Sequence, residues 1–236
     1  NNTLDASGFS AGPVTLWGLD GDDTLYGSSS ADVINGDAGT DQIRQAIDAN
    51  QVLVDTLVTG DGNDTLSSIE QAQLTGGSSG NSIDASGFTG PVTLTGLDGD
   101  DSLWGGTADD LLDGGSGGDT LKGGAGSDAL DGGLDDDTLW GEAGSDALDG
   151  GPGTDLVRQS VDADQVLINT LLTGEGTDTL VSIEQGRLTG GISPNSLDAS
   201  GFSGNTTLWG LDGDDTLHGG ASDDLLDGGL GTDPVR

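Results

Sequence analysis

The chain has 236 residues, 42 of them acidic and only five basic, so its formal net charge at pH 7 is -37. This excess of carboxylates excludes a nucleic-acid-binding protein, because such proteins need clustered lysine and arginine to contact phosphate. No apolar run approaches the roughly 20 residues that cross a bilayer, so we expect no membrane insertion. The chain has no cysteine, which removes disulfides and thiolate metal ligands.

A nine-residue repeat organises the chain. In all 13 rows the first position is Gly, the sixth is Asp and the eighth is Leu, Ile or Val. The rows form three blocks at 18–44 (three rows), 96–158 (seven rows) and 210–236 (three rows). Two similar connectors, 45–95 and 159–209, separate the blocks, and residues 1–17 resemble the end of a connector. Whole rows are inserted or lost as units, which is typical of a stacked architecture.

Each row predicts a tight turn followed by a very short strand. The first six residues are rich in Gly, which tolerates the backbone angles of tight turns, and the last three have the form x-aliphatic-x. Side chains alternate faces along a strand, so only the eighth residue should point inward. In the long block this inward column comprises Leu103, Leu112, Leu121, Leu130, Leu139, Leu148 and Val157.

One aliphatic residue in nine makes a thin core, so the fold needs a second source of stability. The repeated aspartates point to a hard divalent cation that would also neutralise them. Ca²⁺ accepts six to eight oxygen ligands in flexible geometry, whereas Mg²⁺ demands a stricter octahedron. Zinc prefers His or Cys, and the chain offers one His and no Cys.

Rows such as GGSGGDTLK (114–122) and GGAGSDALD (123–131) resemble the RTX (repeats-in-toxin, haemolysin-type) calcium-binding nonapeptide. The resemblance implies an all-β fold, a right-handed parallel β-roll or β-solenoid in which two rows make one turn. It also implies multiple Ca²⁺ ions between successive turns, each held by two aspartates two rows apart and by backbone carbonyls of the Gly-rich turns.

Carried onto this sequence, the resemblance pairs aspartates 18 residues apart. The predicted pairs are Asp23 with Asp41, Asp101 with Asp119, Asp110 with Asp128, Asp119 with Asp137, Asp128 with Asp146, Asp137 with Asp155, and Asp215 with Asp233. Asp32 and Asp224 lie in the middle rows of short blocks, so a connector would have to supply their second aspartate. The predicted carbonyl ligands include those of Gly114, Ser116, Gly123 and Ala125.

The connectors are interpreted as wider, β-helix-like rungs of the same solenoid that largely lack metal. Each contains a degenerate row that ends in Asp64 or Asp178, and whether these two aspartates bind metal stays open. Asn81 and Asn195 stand where an aspartate is expected. The alternative is a small separate domain in each connector.

No catalytic site is expected. Two G-x-S-x-G strings, around Ser78 and Ser116, resemble a hydrolase nucleophile elbow, but such strings arise by accident in a chain rich in Gly and Ser. The only histidine, His218, occupies an outward position of its row.

Aromatic residues favour the outward ninth position of the row. Trp104 and Trp140 are 36 residues apart, which places them on the same side of the roll. They could form a stacking surface for glycans or a neighbouring fibre, or they could simply shield the strands. Arg44, Arg158 and Arg236 each end a block, and we expect them to neutralise its last turn.

The sequence thus predicts a calcium-binding structural repeat protein that folds into a rod when Ca²⁺ binds. The resemblance implies bacterial export, and the layout suggests a segment of an extracellular surface protein, adhesin or matrix filament. Its expected partners are calcium and, beyond that, either other copies of the chain, end to end or laterally, or surface glycans. The alternative is the accessory calcium-binding or secretion domain of a secreted hydrolase or toxin.

Overall fold

A computed structural model describes all 236 residues and shows an all-β protein. Twenty-six short strands form two sheets of 13 strands each. The structure contains no helix with the length and apolar character that a membrane span requires.

Strands numbered along the chain are hydrogen-bonded to their neighbours within each sheet in the following orders. Sheet 1 contains β1 (Thr3–Asp5), β3 (Thr24–Tyr26), β5 (Gln42–Ala46), β9 (Gln71–Thr75), β11 (Val92–Asp98), β13 (Leu111–Ser116), β15 (Ala129–Leu134), β17 (Ala147–Asp149), β21 (Thr177–Val181), β20 (Leu171–Thr173), β19 (Gln165–Ile168), β23 (Ser196–Gly201) and β25 (Thr216–His218). Sheet 2 contains β2 (Thr15–Trp17), β4 (Val33–Asn35), β8 (Gly62–Ser67), β7 (Leu57–Gly60), β6 (Gln51–Val54), β10 (Ser82–Gly87), β12 (Ser102–Trp104), β14 (Thr120–Gly126), β16 (Thr138–Gly144), β18 (Leu156–Ser160), β22 (Gln185–Thr189), β24 (Asn205–Trp209) and β26 (Leu225–Asp227).

Successive rows alternate between the two sheets, so each strand pairs with the strand two rows away. Leu103 pairs in parallel with Leu121 in sheet 2, and Leu112 pairs with Leu130 in sheet 1. Within the long block this offset is a constant 18 residues, so two rows complete one turn of the roll. The predicted β-roll is therefore confirmed.

In every row but the last, the eighth residue points into the space between the sheets, as the alternation of strand side chains requires. In the last row, Val235 is 48% exposed. All seven residues of the predicted inward column are buried between the sheets. They belong to one apolar cluster of 30 residues that runs through blocks and connectors alike. Phe88 and Phe202 extend this cluster within the connectors.

Glycine is required where consecutive turns approach each other. Gly117 has a φ of +127°, and a Cβ at this position would lie closer than 3.0 Å to the carbonyl group of Gly99 in the preceding turn. The first row of the long block departs from this pattern, because Leu97 adopts a φ of +84° with its side chain half exposed. Such a conformation costs a non-glycine residue about 1–2 kcal/mol.

Each connector adds an antiparallel hairpin to the parallel roll. In the first connector, β6 and β7 pair so that Val54 faces Leu57 across the two-residue turn Asp55-Thr56. The second connector repeats this arrangement around Asn169-Thr170, but in sheet 1 instead of sheet 2. The wider rungs therefore contain antiparallel strands, which the sequence did not predict because these turns lack the glycine typical of tight hairpins.

The inward column gives a direct test of core packing with two adjacent leucines. Leu112 is fully buried, whereas Leu111 is 50% exposed on the outer face. We expect Leu112→Ala to lower the free energy of unfolding of the calcium-loaded protein by about 2–5 kcal/mol, because it leaves a cavity. Leu111→Ala, the matched control, should change it by about 0.5 kcal/mol or less. Chemical denaturation would measure both, and equal effects would contradict the assignment of the core.

Candidate metal centre

The sixth-position aspartates lie at the ends of the Gly-rich turns, directly before the strands. Eleven of the 13 predicted metal ligands are buried, and only Asp224 and Asp233, near the end of the chain, are partly exposed. Burying a carboxylate is costly unless it is paired or hydrogen-bonded. Each of these side chains must therefore find partners within the roll.

The preceding turn supplies a partner for one of the two carboxylate oxygens. The backbone N–H of Asp101 donates to Oδ1 of Asp119 over 2.7 Å, and Asp119 donates in the same way to Asp137. The structure places all seven predicted pairs side by side through this bond. The remaining five bonds join Asp23 to Asp41, Asp110 to Asp128, Asp128 to Asp146, Asp137 to Asp155 and Asp215 to Asp233.

The second carboxylate oxygen is the unusual feature of these turns. In nine of the 13 aspartates, Oδ2 is buried and has no hydrogen-bond partner. They are Asp23, Asp41, Asp101, Asp119, Asp128, Asp137, Asp146, Asp155 and Asp215. Buried polar atoms in folded proteins are nearly always satisfied, so a repeated exception indicates a missing partner. A carboxylate oxygen can only accept, so its partner must be a hydrogen-bond donor, a proton or a cation.

A small cradle lies beside each of these oxygens, over the first glycine of the row. A Cβ built on Gly96 would lie closer than 3.0 Å both to Oδ2 of Asp101 and to the carbonyl oxygen of Gly114 in the next turn. Gly105 shows the same arrangement with Asp110 and Gly123. The absent side chain thus leaves space that a carboxylate and a carbonyl oxygen both border.

Two of the four predicted carbonyl ligands border such cradles, namely Gly114 and Gly123. The carbonyl of Ser116 instead accepts a hydrogen bond of 2.7 Å from the N–H of Gly99. Ala125 lies within β14, in register with Ala143 of β16.

The donor set fits a calcium ion. It consists of carboxylate and carbonyl oxygens, the hard ligands that Ca²⁺ prefers. No three acidic or histidine side chains converge on one point. An ion between two turns would therefore depend on backbone carbonyls as much as on the two carboxylates, as the Gly-rich turns allow.

Two predicted ligands have environments that differ from the other nine. Asp110 accepts hydrogen bonds on both oxygens, from the N–H groups of Val92 and Gly106. Asp32 is likewise satisfied by Val14 and Ser28. In each case one partner, Val14 or Val92, directly follows the proline with which a connector turn ends.

The series of sixth-position aspartates joined by these N–H···Oδ1 bonds, the aspartate ladder, continues into the connectors. The N–H of Asp32 donates to Asp64 over 2.9 Å, and that of Asp146 donates to Asp178 over 3.1 Å. A Cβ built on Gly27 would lie 2.5 Å from Oδ2 of Asp64 and 3.2 Å from Oδ2 of Asp32. Asp64 thus takes the place of the second aspartate that Asp32 lacks within its own block.

Two glutamates continue the ladder and were not identified from the sequence. Glu70 accepts a hydrogen bond of 2.9 Å from the N–H of Asp41, and Glu184 accepts one of 3.0 Å from that of Asp155. Both belong to the string SIEQ, which occurs at the same place in both connectors. That repetition was the available signal, but the glutamates lie outside the nine-residue register.

Asn81 and Asn195 provide an internal comparison. The side-chain oxygen of Asn81 accepts from the N–H of Gly77, and its amide group donates to Asp48. Asn195 has the equivalent partners Gly191 and Asp162. Where an amide replaces the carboxylate, the side chain is satisfied on both atoms by the protein alone.

The pKa values of the inner aspartates reflect their burial close to other carboxylates. Burial raises the pKa of Asp119, Asp128 and Asp137 to about 7, and carboxylates of neighbouring turns add to the rise. Burial likewise raises the pKa of Asp178 to about 7 and that of Asp64 to about 6. Without a cation, the folded roll thus disfavours ionisation of its own inner aspartates.

The arginines that end the blocks do not neutralise these turns, contrary to expectation. Arg44 lies over the ring of Tyr26 and Arg158 over that of Trp140, while the two ion pairs of the chain involve Asn1 and Lys122. The reason is geometric, since ninth-position side chains point away from the core and the aspartates point inward.

Comparison with known protein families gives one match. The model of the RTX calcium-binding nonapeptide repeat (4 copies) matches residues 15–43, 54–68, 93–121, 122–157 and 200–233. No curated protein matches the chain. The matched segments cover more than half of the sequence and include residues of both the blocks and the connectors. Repeats of this family generally bind Ca²⁺. The chain therefore belongs to the RTX family and is a calcium-binding repeat protein.

Proposed function

We propose that this chain is a rod-shaped structural segment whose folding depends on Ca²⁺ held between successive turns. The observation that carries the proposal is the series of nine buried Oδ2 atoms without a partner, each beside a glycine cradle. Asp101, Asp119, Asp137 and Asp155 lie on successive turns, so a cation shared between neighbours would tie each turn to the next.

Backbone N–H groups, glycines and carbonyls each contribute to the proposed ion site. The backbone N–H groups hold one oxygen of each aspartate and so fix the direction of the other. The first-position glycines keep the cradle open, and carbonyls such as those of Gly114 and Gly123 face it. Bound Ca²⁺ would supply the positive charge that offsets the repulsion between adjacent carboxylates.

The proposed setting is outside a bacterial cell, as part of a surface or matrix filament. RTX repeats are typical of secreted bacterial proteins. A spacer whose length grows with the number of rows suits such an arrangement.

Calcium dependence is tested by far-ultraviolet circular dichroism of the calcium-stripped chain. At pH 8 we expect a largely unfolded spectrum that converts to β-structure with millimolar Ca²⁺, because metal binding supplies folding free energy. Mg²⁺ at the same concentration is the control and should convert less. A folded spectrum in the absence of metal at pH 8 would contradict the proposal.

The ladder predicts unequal effects along the chain. Asp119 faces an aspartate on both sides, whereas Asp233 has a neighbour on one side only. Asp119→Asn should raise the Ca²⁺ concentration at the folding midpoint by about tenfold or more, since even loss of an outer partner of a metal ligand costs 10–100-fold. Asp233→Asn should have a smaller effect.

The matched control is Asp223→Asn, which removes the same charge from an exposed side chain in a turn. It should leave the midpoint nearly unchanged. Equal shifts for all three variants would show that total charge, rather than the ladder, determines the response to calcium.

Acid should partly replace calcium. The folded pKa of Asp119, Asp128 and Asp137 is about 7, above the value of an unfolded aspartate, so the folded chain binds more protons. The stability of the metal-free fold is therefore greatest at low pH and is lost as the pH rises through about 7. We expect calcium-stripped protein to gain β-structure between pH 8 and pH 5 by circular dichroism, and a loss of β-structure would contradict the buried ladder.

A further inference from the structure

The outer faces of the two sheets carry opposite chemistry. On sheet 2, outward side chains of successive strands form a face that carries three cations, the cationic face, defined as Trp104, Lys122, Trp140, Arg158, Arg187 and Trp209. Glu142 and Glu175 lie beside Lys122, and the outer tryptophans Trp104 and Trp209 pair with Asp84 and Asp227. The cationic face contains three of the five basic residues of the chain and three of its four tryptophans. Such clustering in a chain of net charge -37 calls for a physical explanation.

The cationic face is held in place by its own contacts. The guanidinium of Arg158 lies 4.4 Å from the ring centre of Trp140, and that of Arg187 lies 5.1 Å from the ring centre of Trp209. Lys122 lies between two tryptophans and forms an exposed ion pair of 2.8 Å with Glu142. Trp104 remains 38% exposed. Ordered tryptophan and arginine side chains are characteristic of protein-binding surfaces.

The acidic face on sheet 1 is defined as Asp113, Asp131 and Asp149, which occupy the same outward column of three adjacent strands. Their carboxylates face one another in register without a cation among them. Burial raises the pKa of Asp131, and the charges of Asp113 and Asp149 raise it further.

An apolar groove of about 330 Å³ runs beside the acidic face. Its floor includes the small side chains Ala129 and Ala147, and its walls include Leu111 and Val181. Leu111 and Val181 are each at least 50% exposed, although both are apolar. The groove offers a place for a large flat side chain next to a row of negative charge.

The two faces are matched in spacing and lie on opposite sides of the roll. The apolar cluster fills the space between the sheets, so their outer surfaces point in opposite directions. Lys122 and Arg158 lie two strands apart in sheet 2, and Asp113 and Asp149 lie two strands apart in sheet 1. At a strand spacing of about 4.8 Å, both cations can therefore face a carboxylate at the same time. The exposed Trp104 lies on one face, and the groove indents the other.

We propose that the acidic face and groove of one copy bind the cationic face of a second copy. The contact uses two different surfaces of the same molecule, so it leaves a free surface on each outer copy and can continue into a lateral array. Repulsion between the two net charges is limited, because the Debye length is about 8 Å at physiological ionic strength. Pairs in direct contact therefore outweigh distant charges.

An acidic polysaccharide is the competing occupant of the cationic face, since sugar rings stack on tryptophan and carboxylates pair with arginine. It would leave the acidic face and its groove without a partner. A second copy of the chain uses both faces at once, which favours self-association.

The test is sedimentation velocity of the calcium-loaded chain over a range of concentrations. Lys122→Glu and Asp131→Lys should each weaken association by about tenfold or more, because each places like charges in contact. An equimolar mixture of the two variants should associate again, since each retains one wild-type face and the two reversed faces are also complementary. Asp223→Lys, which changes an exposed acid outside both faces, should associate like the wild type.

Circular dichroism in Ca²⁺ confirms that each variant is folded, and Asp113→Lys replaces Asp131→Lys if the latter does not fold. A wild-type chain that stays monomeric at every concentration would overturn the proposal. So would association that both charge reversals leave unchanged, which would indicate stacking through the ends of the roll. Binding of alginate by a monomeric wild-type chain, lost in Lys122→Glu, would assign the cationic face to a polysaccharide instead and would also overturn it.

Discussion

The repulsion between buried aspartates on successive turns is the constraint on which the rest of the structure depends. Successive turns bring one carboxylate next to another at a separation of two rows. In nine of the 13 aspartates, one oxygen is bonded to the backbone and the other is without a partner. The core contains only one aliphatic residue per row. Burial of that side chain contributes little free energy compared with the conformational entropy lost when nine residues become ordered. A fold with this balance needs a counter-charge, and the family to which the chain belongs binds calcium.

Different positions of the nine-residue row serve the fold and the outer surface. Gly at the first position and Asp at the sixth form the cradle, and the eighth residue forms the core, so these positions scarcely vary. The seventh and ninth positions point outward and carry whatever the outer faces require. Tryptophan, lysine and arginine can therefore accumulate on one sheet, and aspartate on the other, without disturbing the ladder inside.

Periodicity explains both what the sequence predicted and what it did not. The offset of 18 residues that relates Asp101 to Asp119 follows from the repeat, and so does the inward column that contains Leu112. The hairpins at Asp55-Thr56 and Asn169-Thr170 lie outside the nine-residue register, so the repeat does not predict them. Glu70 and Glu184 also lie outside it, and only the three-dimensional structure shows that they join the ladder. The stacking of Arg158 on Trp140 was missed because charge alone suggested a carboxylate partner.

A crystal structure of the chain grown in millimolar Ca²⁺, with anomalous data to identify the ion, tests the central claim most directly. The account predicts calcium at 2.3–2.6 Å from Oδ2 of inner aspartates such as Asp119, with carbonyl oxygens of the Gly-rich turns completing its ligands. Beside Asn81 and Asn195, whose side chains are already satisfied, no such ion is expected. Inner aspartates that bind only water or a proton at neutral pH in saturating Ca²⁺ would contradict the account.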